Sequence, residues 1–274
     1  MKLILRTGAV MLVLAIILTA VSAMFMKAHA AVIMTEAAAG HFFSGDSNDN
    51  RPVTAQVTQV VLSGPVDLLL QSSTVPSLSV KGDPKLASRV TTRVDGNTLY
   101  IATRGIFISL GKSEAIRVEL NLPVLEKLQL SGSGDANVKG FKGKRLEFSM
   151  RGSGDLLFDG DFSQILGAMS GSGDANLSLS NAEQLTLTMR GSGDAILKGQ
   201  SNVLNVRMSG SGDLYAEALK VKRALIESSG SADSKIFATE EVNARLTGSG
   251  DLSVTGNPLR RHAERLGSGD IIWQ

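Results

Sequence analysis

The 274-residue chain contains no cysteine. That excludes disulfides, thiolate metal sites, a cysteine nucleophile and a bacterial lipid-anchor cysteine. Histidine is almost as scarce, and beyond residue 30 only His41 and His262 remain. One precedes the regular repeats and the other sits in the segment that closes them, so a Ser-His-Asp triad or histidine zinc site inside the repeats is excluded. Aromatic residues make up 4% of the chain. Apart from Tyr100, Tyr215 and Trp273 they are phenylalanines, mostly in core phase, which leaves no outward platform for stacking sugars or bases. The charged fraction, 20%, is too low and the apolar fraction, 43%, too high for intrinsic disorder. An excess of positive charge is also missing. The formal net charge is +2, but Lys2, Arg6 and Lys27 stand in an acid-free stretch before residue 31. Without them the balance is 25 bases against 26 acids, so the basic pI gives no reason to expect a nucleic-acid partner.

The first thirty residues read as an export signal. Lys2 and Arg6 form a positive start, Gly8 to Met26 carries no charge, and Ala28-His29-Ala30 offers small residues at the −3 and −1 positions of a cleavage site. The alternative is an uncleaved anchor, since nineteen apolar residues just span a bilayer. Both place the rest of the chain outside the cytoplasm, in the periplasm or at the cell surface. Residues 31–52, with the polar run Ser44 to Pro52, read as a flexible linker.

What is abundant is glycine, 29 residues in all, and it recurs in phase. Gly-Ser-Gly-Asp ends at Asp135, Asp155, Asp174, Asp194, Asp213, Asp251 and Asp270, and Gly230-Ser231-Ala232-Asp233 fills the remaining gap. Around each motif the sequence alternates. Five residues before the aspartates stand Leu130, Met150, Met169, Met189, Met208, Ser228 and Leu246. Seven before stand Leu128, Phe148, Gly167, Leu187, Val206, Ile226 and Ala244. The residues between are mostly polar, and the first and third positions after each motif are again mainly apolar. Period-two alternation reads as strands with one buried face. Each repeat is therefore strand, Gly-Ser-Gly-Asp turn, strand and second turn.

A single repeat buries too few side chains to be stable alone, and stacked copies turn each apolar position into a column through a shared core. The predicted fold is all-β, a parallel β-helix (solenoid) with one coil per 19–20-residue repeat. A β-sandwich or propeller is the alternative. Residues 131–274 supply the regular coils. Residues 53–130 read as irregular first coils of the same domain, with Gly64-Pro65-Val66-Asp67 as a degenerate turn and Asp95-Gly96-Asn97 as a hairpin. Asn257 to Arg265 breaks the apolar pattern, is strongly basic, and reads as a C-terminal cap or as a docking patch for an acidic partner.

In this reading the two glycines of each turn permit positive φ, and Ser and Asp bond neighbouring backbone N–H groups. Stacked aspartates about 4.8 Å apart repel by about 1 kcal/mol in water and about 3.5 at an effective dielectric of 20. Donors from the next coil, partial protonation or bound Ca²⁺ would offset this. Arg151 and Arg190 precede their motifs and could pair with nearby carboxylates, and Leu157, Ile196 and Tyr215 could form an outward apolar patch. No catalytic or cofactor-binding residue stands out. Glycine-rich phosphate loops fail because the motif lies between strands. A unique acid/base pair needs unlike environments, which a repeating ladder does not offer.

The Gly-Ser-Gly-Asp turns, the closing Gly256-Asn257-Pro258 and the lead-in Asn121-Leu122-Pro123-Val124-Leu125 resemble the auto-transporter adhesin head domain, or GIN domain, of exported bacterial proteins. The resemblance covers about residues 53–274. It implies a right-handed β-helix of pectin-lyase-like shape without catalytic residues, and a role in adhesion to a cell-surface or envelope component. A polysaccharide-acting enzyme and a Ca²⁺-binding solenoid are the alternatives.

Overall fold

The computed structural model describes residues 48–105 and 116–274. The expected signal segment and residues 31–47 of the expected linker lie outside them. The described residues form a β-solenoid of about seven turns, with parallel coils stacked on one another. The five long strands β9 (Ala136–Gly152), β10 (Leu156–Gly171), β11 (Ala175–Gly191), β12 (Ala195–Gly210) and β13 (Leu214–Gly230) each run from one Gly-Ser-Gly-Asp-type turn to the next. They pair in sequence order, followed by β14 (Ser234–Leu246). β15 (Leu252–Thr255) and β16 (Arg260–Arg265) both pair with β14, and β17 (Ile271–Trp273) pairs with β15.

From β9 to β14 the second turn expected in each repeat is a bend inside a continuous strand, whereas between β15 and β16 the strand breaks at residues 256–259. These coils bend at the same place, so their backbone groups still find partners on the coils above and below. The bend also absorbs the alternation between 20- and 19-residue repeats. Lys139 faces Asp159 but Phe141 faces Gly160, with Gly140 bulging out at φ 79°. Similar shifts separate the other pairs at this corner, while the turn side stays in strict register from Met150 through Met169 and Met189 to Met208.

Inside, the predicted columns are buried. Met150, Met169, Met189 and Met208 are all 5% exposed or less. Gly167 stands where the neighbouring coils carry Phe148 and Leu187. A Cβ there would overlap the Phe148 ring and lie 2.8 Å from Leu187 Cδ1, so the missing side chain is what lets Phe148 fill the column. Phe158 and Phe162, both fully buried, pack with ring centroids 6.1 Å apart.

The first coils are not laid down in chain order. β2 (Gln59–Ser63) and β3 (Asp67–Ser72) form a coil flanked on both sides. β6 (Thr98–Thr103) and β7 (Arg117–Leu122) pair with it in parallel on one side, and β8 (Lys127–Gly132) with β9 on the other. The lead-in Leu122 to Leu125 carries the chain from β7 on one side of the β2–β3 coil to β8 on the other, where Glu126 and Lys127 N–H bond Thr58 O. The far side of β6 and β7 is closed by antiparallel strands: β5 (Val90–Asp95) on β6 through the expected Gly96-Asn97 hairpin, and β4 (Ser77–Lys81) on β7. Between β4 and β5 one helical turn, α1 (Pro84–Ala87), is capped by Asp83, whose Oδ1 accepts from Lys85 and Leu86 N–H.

The linker boundary needs correction. Asn48–Arg51 form β1, antiparallel on β4. Arg51 is only 4% exposed, donates to Val90 O at 2.9 Å and pairs with Asp49 at 3.1 Å. A buried arginine with a backbone acceptor makes this segment part of the fold.

Candidate functional site

The repeated turn is the feature most particular to this chain. Its first glycine adopts φ between 121° and 144° at Gly132, Gly152, Gly171, Gly191, Gly210 and Gly230, a region only glycine enters readily. The second glycine has a different reason, which corrects the expectation that both supply positive φ. A Cβ on Gly193 would overlap the carbonyl oxygen of Gly173 one coil below. Where Ala232 replaces this glycine, Ser231 N–H still bonds Gly210 O at 2.9 Å. The second bond of the regular turns, such as Gly212 N–H to Gly191 O at 3.3 Å, has no counterpart there.

The aspartates form a ladder of hydrogen bonds between coils, not within turns. Each backbone N–H donates to Oδ1 of the aspartate one coil earlier, as in Asp155 to Asp135 at 2.9 Å and Asp194 to Asp174 at 2.8 Å. The pattern runs unbroken from Asp135 to Asp270. The degenerate turn joins it, since Asp135 N–H donates to Asp67 Oδ1 at 3.1 Å. The carbonyl of each aspartate also accepts from the coil before, as in Ala136 N–H to Asp155 O at 2.8 Å. These charge-assisted bonds offset the repulsion between neighbouring carboxylates. At Asp270 the Oδ1 accepts from the Arg265 guanidinium. Tyr215 OH donates to Asp213 Oδ2 at 3.1 Å. That bond, then the charges of Asp213, Asp194 and Asp233, hold the tyrosine above its ordinary pKa. The carboxylates stand in single file, and among the described residues no three His, Asp or Glu side chains converge as metal ligands.

Beside the ladder runs the outward column Leu69, Asn137, Leu157, Asn176, Ile196 and Tyr215. The expected apolar patch is interrupted. Leu157 is 41% exposed, Ile196 and Tyr215 are half-buried, and Asn176 stands between Leu157 and Ile196. Lys235 lies over the Tyr215 ring at 5.6 Å. An open cleft of about 500 Å³ sits at the start of the column, lined by Asp67, Arg117, Asp135, Asp155, Leu69 and Leu157.

On the strand before the turn, the outward face carries ion pairs across coils: Lys127 to Glu147 at 3.0 Å, Arg207 to Glu227 at 2.7 Å and Arg245 to Glu264 at 3.5 Å. The bond to Glu227 raises the Arg207 pKa. Arg151 and Arg190 do not make the pairings the sequence suggested, and neither has an ion-pair partner among the described residues.

The basic segment is a strand of a regular coil, stacked in parallel on β14. β16 places Arg261 in the column of Val242, Ala263 in that of Ala244 and Arg265 in that of Leu246. Its arginines turn to the molecule itself. Arg260 pairs with Glu241 at 3.0 Å, Arg261 bonds Asn257 and Pro258 O and lies 5.0 Å over Trp273, and Arg265 holds Asp270. Bonds from Asn243 and then Arg260 hold Glu241 below the usual carboxylate range. This geometry is that of a cap. His262 lies in the same strand and is exposed, while His41 is outside the described residues.

Several solved structures share the fold. A protein named as a "putative adhesin" from Parabacteroides distasonis has a TM-score of 0.76 at 19% identity, covering 86% of this chain and 98% of that one. A "putative lipid binding protein" from the same species has a TM-score of 0.71 at 23% identity, covering 82% and 97%. A "putative adhesin" from Bacteroides fragilis has a TM-score of 0.62 at 19% identity, covering 85% and 97%. At these identities the likeness shows the fold alone. No match was found among curated proteins. Residues 56–258, most of the described solenoid, match the family described as "Putative auto-transporter adhesin, head GIN domain", and the chain belongs to that family.

Proposed function

We propose that this chain is an exported, non-enzymatic solenoid that acts by surface contact in the bacterial envelope, as an adhesin or scaffold. The observation that carries this reading is the sameness of the ladder. From Asp67 to Asp251, each aspartate has one carboxylate oxygen bound to the N–H of the next coil. Hydrolysis of a glycosidic bond asks two carboxyl groups to differ in protonation, and hence in surroundings. A surface that repeats is suited instead to many equivalent contacts. The family and the names of its structural relatives support the same reading.

Co-sedimentation of the exported chain with isolated cell envelopes and a panel of insoluble polysaccharides, at physiological salt, tests it. Saturable retention on an envelope or polymer is expected. Absence of retention on every surface would overturn the reading.

A further inference from the structure

The strand before the turn holds a polar trough whose origin can be read rung by rung. Four residues before each aspartate lies an outward column: Arg151, Ser170, Arg190, Ser209, Ser229 and Thr247. After Arg190 the column falls to three short hydroxyl side chains in succession. The neighbouring outward column keeps its long residues over the same coils, Arg207, Glu227 and Arg245. Short beside long leaves an open cavity of about 410 Å³, lined by both columns with Arg190 at one end. From Arg190 to Thr247 is three coil steps, about 14 Å. The volume lies within the roughly 300–1,000 Å³ of ligand clefts.

The chemistry of the lining is specific. Ser229 Oγ donates to Met208 O at 3.2 Å and Thr247 Oγ to Ser228 O at 3.3 Å. Their hydrogens are spent on the backbone, so both hydroxyls face the trough as acceptors. Arg207 and Arg245 are tied to Glu227 and Glu264. Arg190 alone among the trough's cations has no ion-pair partner among the described residues. A ligand that satisfies this lining is elongated, rich in hydroxyl donors, and carries a carboxylate for the Arg190 fork. The trough lacks the aromatic faces that nucleic acids stack on and the apolar pockets that anchor peptides. We infer that the trough is a binding site for an acidic polysaccharide of the uronate type, lying along the solenoid axis with a carboxylate on Arg190. This rests on the surface-contact reading and names its partner class.

Polygalacturonate is the probe, and its fully methyl-esterified form the control of equal backbone without charge. Titration of the exported chain should show binding to the acid polymer, weaker binding to the ester, and weakening as NaCl rises. Arg190→Gln should lower affinity for the acid form about tenfold, the share of one charge-assisted bond. Arg190 is exposed and without an ion-pair partner, so the variant should keep the parent melting temperature. Ser229→Gln, which raises the trough floor, should weaken binding through a different residue. Equal binding of acid and ester, an unchanged affinity in Arg190→Gln, or no binding to polygalacturonate would overturn the inference. Envelope retention measured on the same preparations separates the two readings. Retention without polygalacturonate binding removes the trough site and leaves surface contact standing. Absence of both removes both.

Discussion

A single aspartate in this chain does two jobs at once, and substitution can separate them. Asp194 accepts the N–H of Asp213 at 2.8 Å and donates its own N–H to Asp174. Asparagine keeps an oxygen at that acceptor position and removes a charge flanked by two others of the same sign. Alanine removes the acceptor and leaves the Asp213 N–H without it. Asp194→Ala should therefore cost about 1–3 kcal/mol, and Asp194→Asn should be neutral or stabilising, as measured by urea unfolding. Equal losses in the two variants would mean that the charge, not the hydrogen bond, matters. The turn motif was fully visible in the sequence, yet the partner of its aspartate was not. A Gly-Ser-Gly-Asp turn read alone offers its own N–H groups as donors to the carboxylate, and only stacking brings the next coil's amide to it. The same holds for the second glycine, whose constraint is the carbonyl of a residue about twenty positions away.

At the level of strands, period-two columns made the core legible because every coil repeats the same alternation. Gly167 looked like a gap in one column. In the fold it is half of a pair with Phe148. Gly167→Ala should cost about 1–3 kcal/mol by overpacking, and adding Phe148→Leu should recover part of that loss, with a coupling energy that a double-mutant cycle reads. Additive losses would show that the ring does not depend on the missing Cβ. The bends were misread as turns for a physical reason. Lys139 to Arg145 loses its alternation and carries two glycines, the signature of a loop, but its backbone stays paired because the next coil bends with it. The coil order of residues 59–130 was not legible either. Apolar strands of one length and one pattern pair equally well with either neighbour, and sequence adjacency is a poor guide when the chain doubles back. The trough was written in the −4 column all along, but it becomes a trough only when rungs from four coils are set side by side.

For the molecule as a whole, the two ends of the stack are finished differently. One end is closed by antiparallel strands that reverse the coil direction. The other keeps the coil direction and changes the residues, setting Arg261 and Arg265 where the preceding coil has Val242 and Leu246. Charge where the preceding coil has apolar residues makes the exposed β16 edge a poor template for another chain. Arg261→Val combined with Arg265→Leu should raise concentration-dependent self-association above that of the parent chain in sedimentation velocity. An unchanged sedimentation profile would show that the exposed strand edge, not the arginines, sets the limit. The ladder also has a sense of direction. Each carboxylate is met by the amide of a residue that comes later in the chain, never earlier. A coil already in place holds out an acceptor, and the coil that follows brings the donor. A polypeptide that emerges from a membrane pore amino end first would thus close like a ratchet, one tooth per coil, in the order in which its parts arrive. Only the coil of residues 59–72 must wait, since it is completed by two neighbours that reach it later.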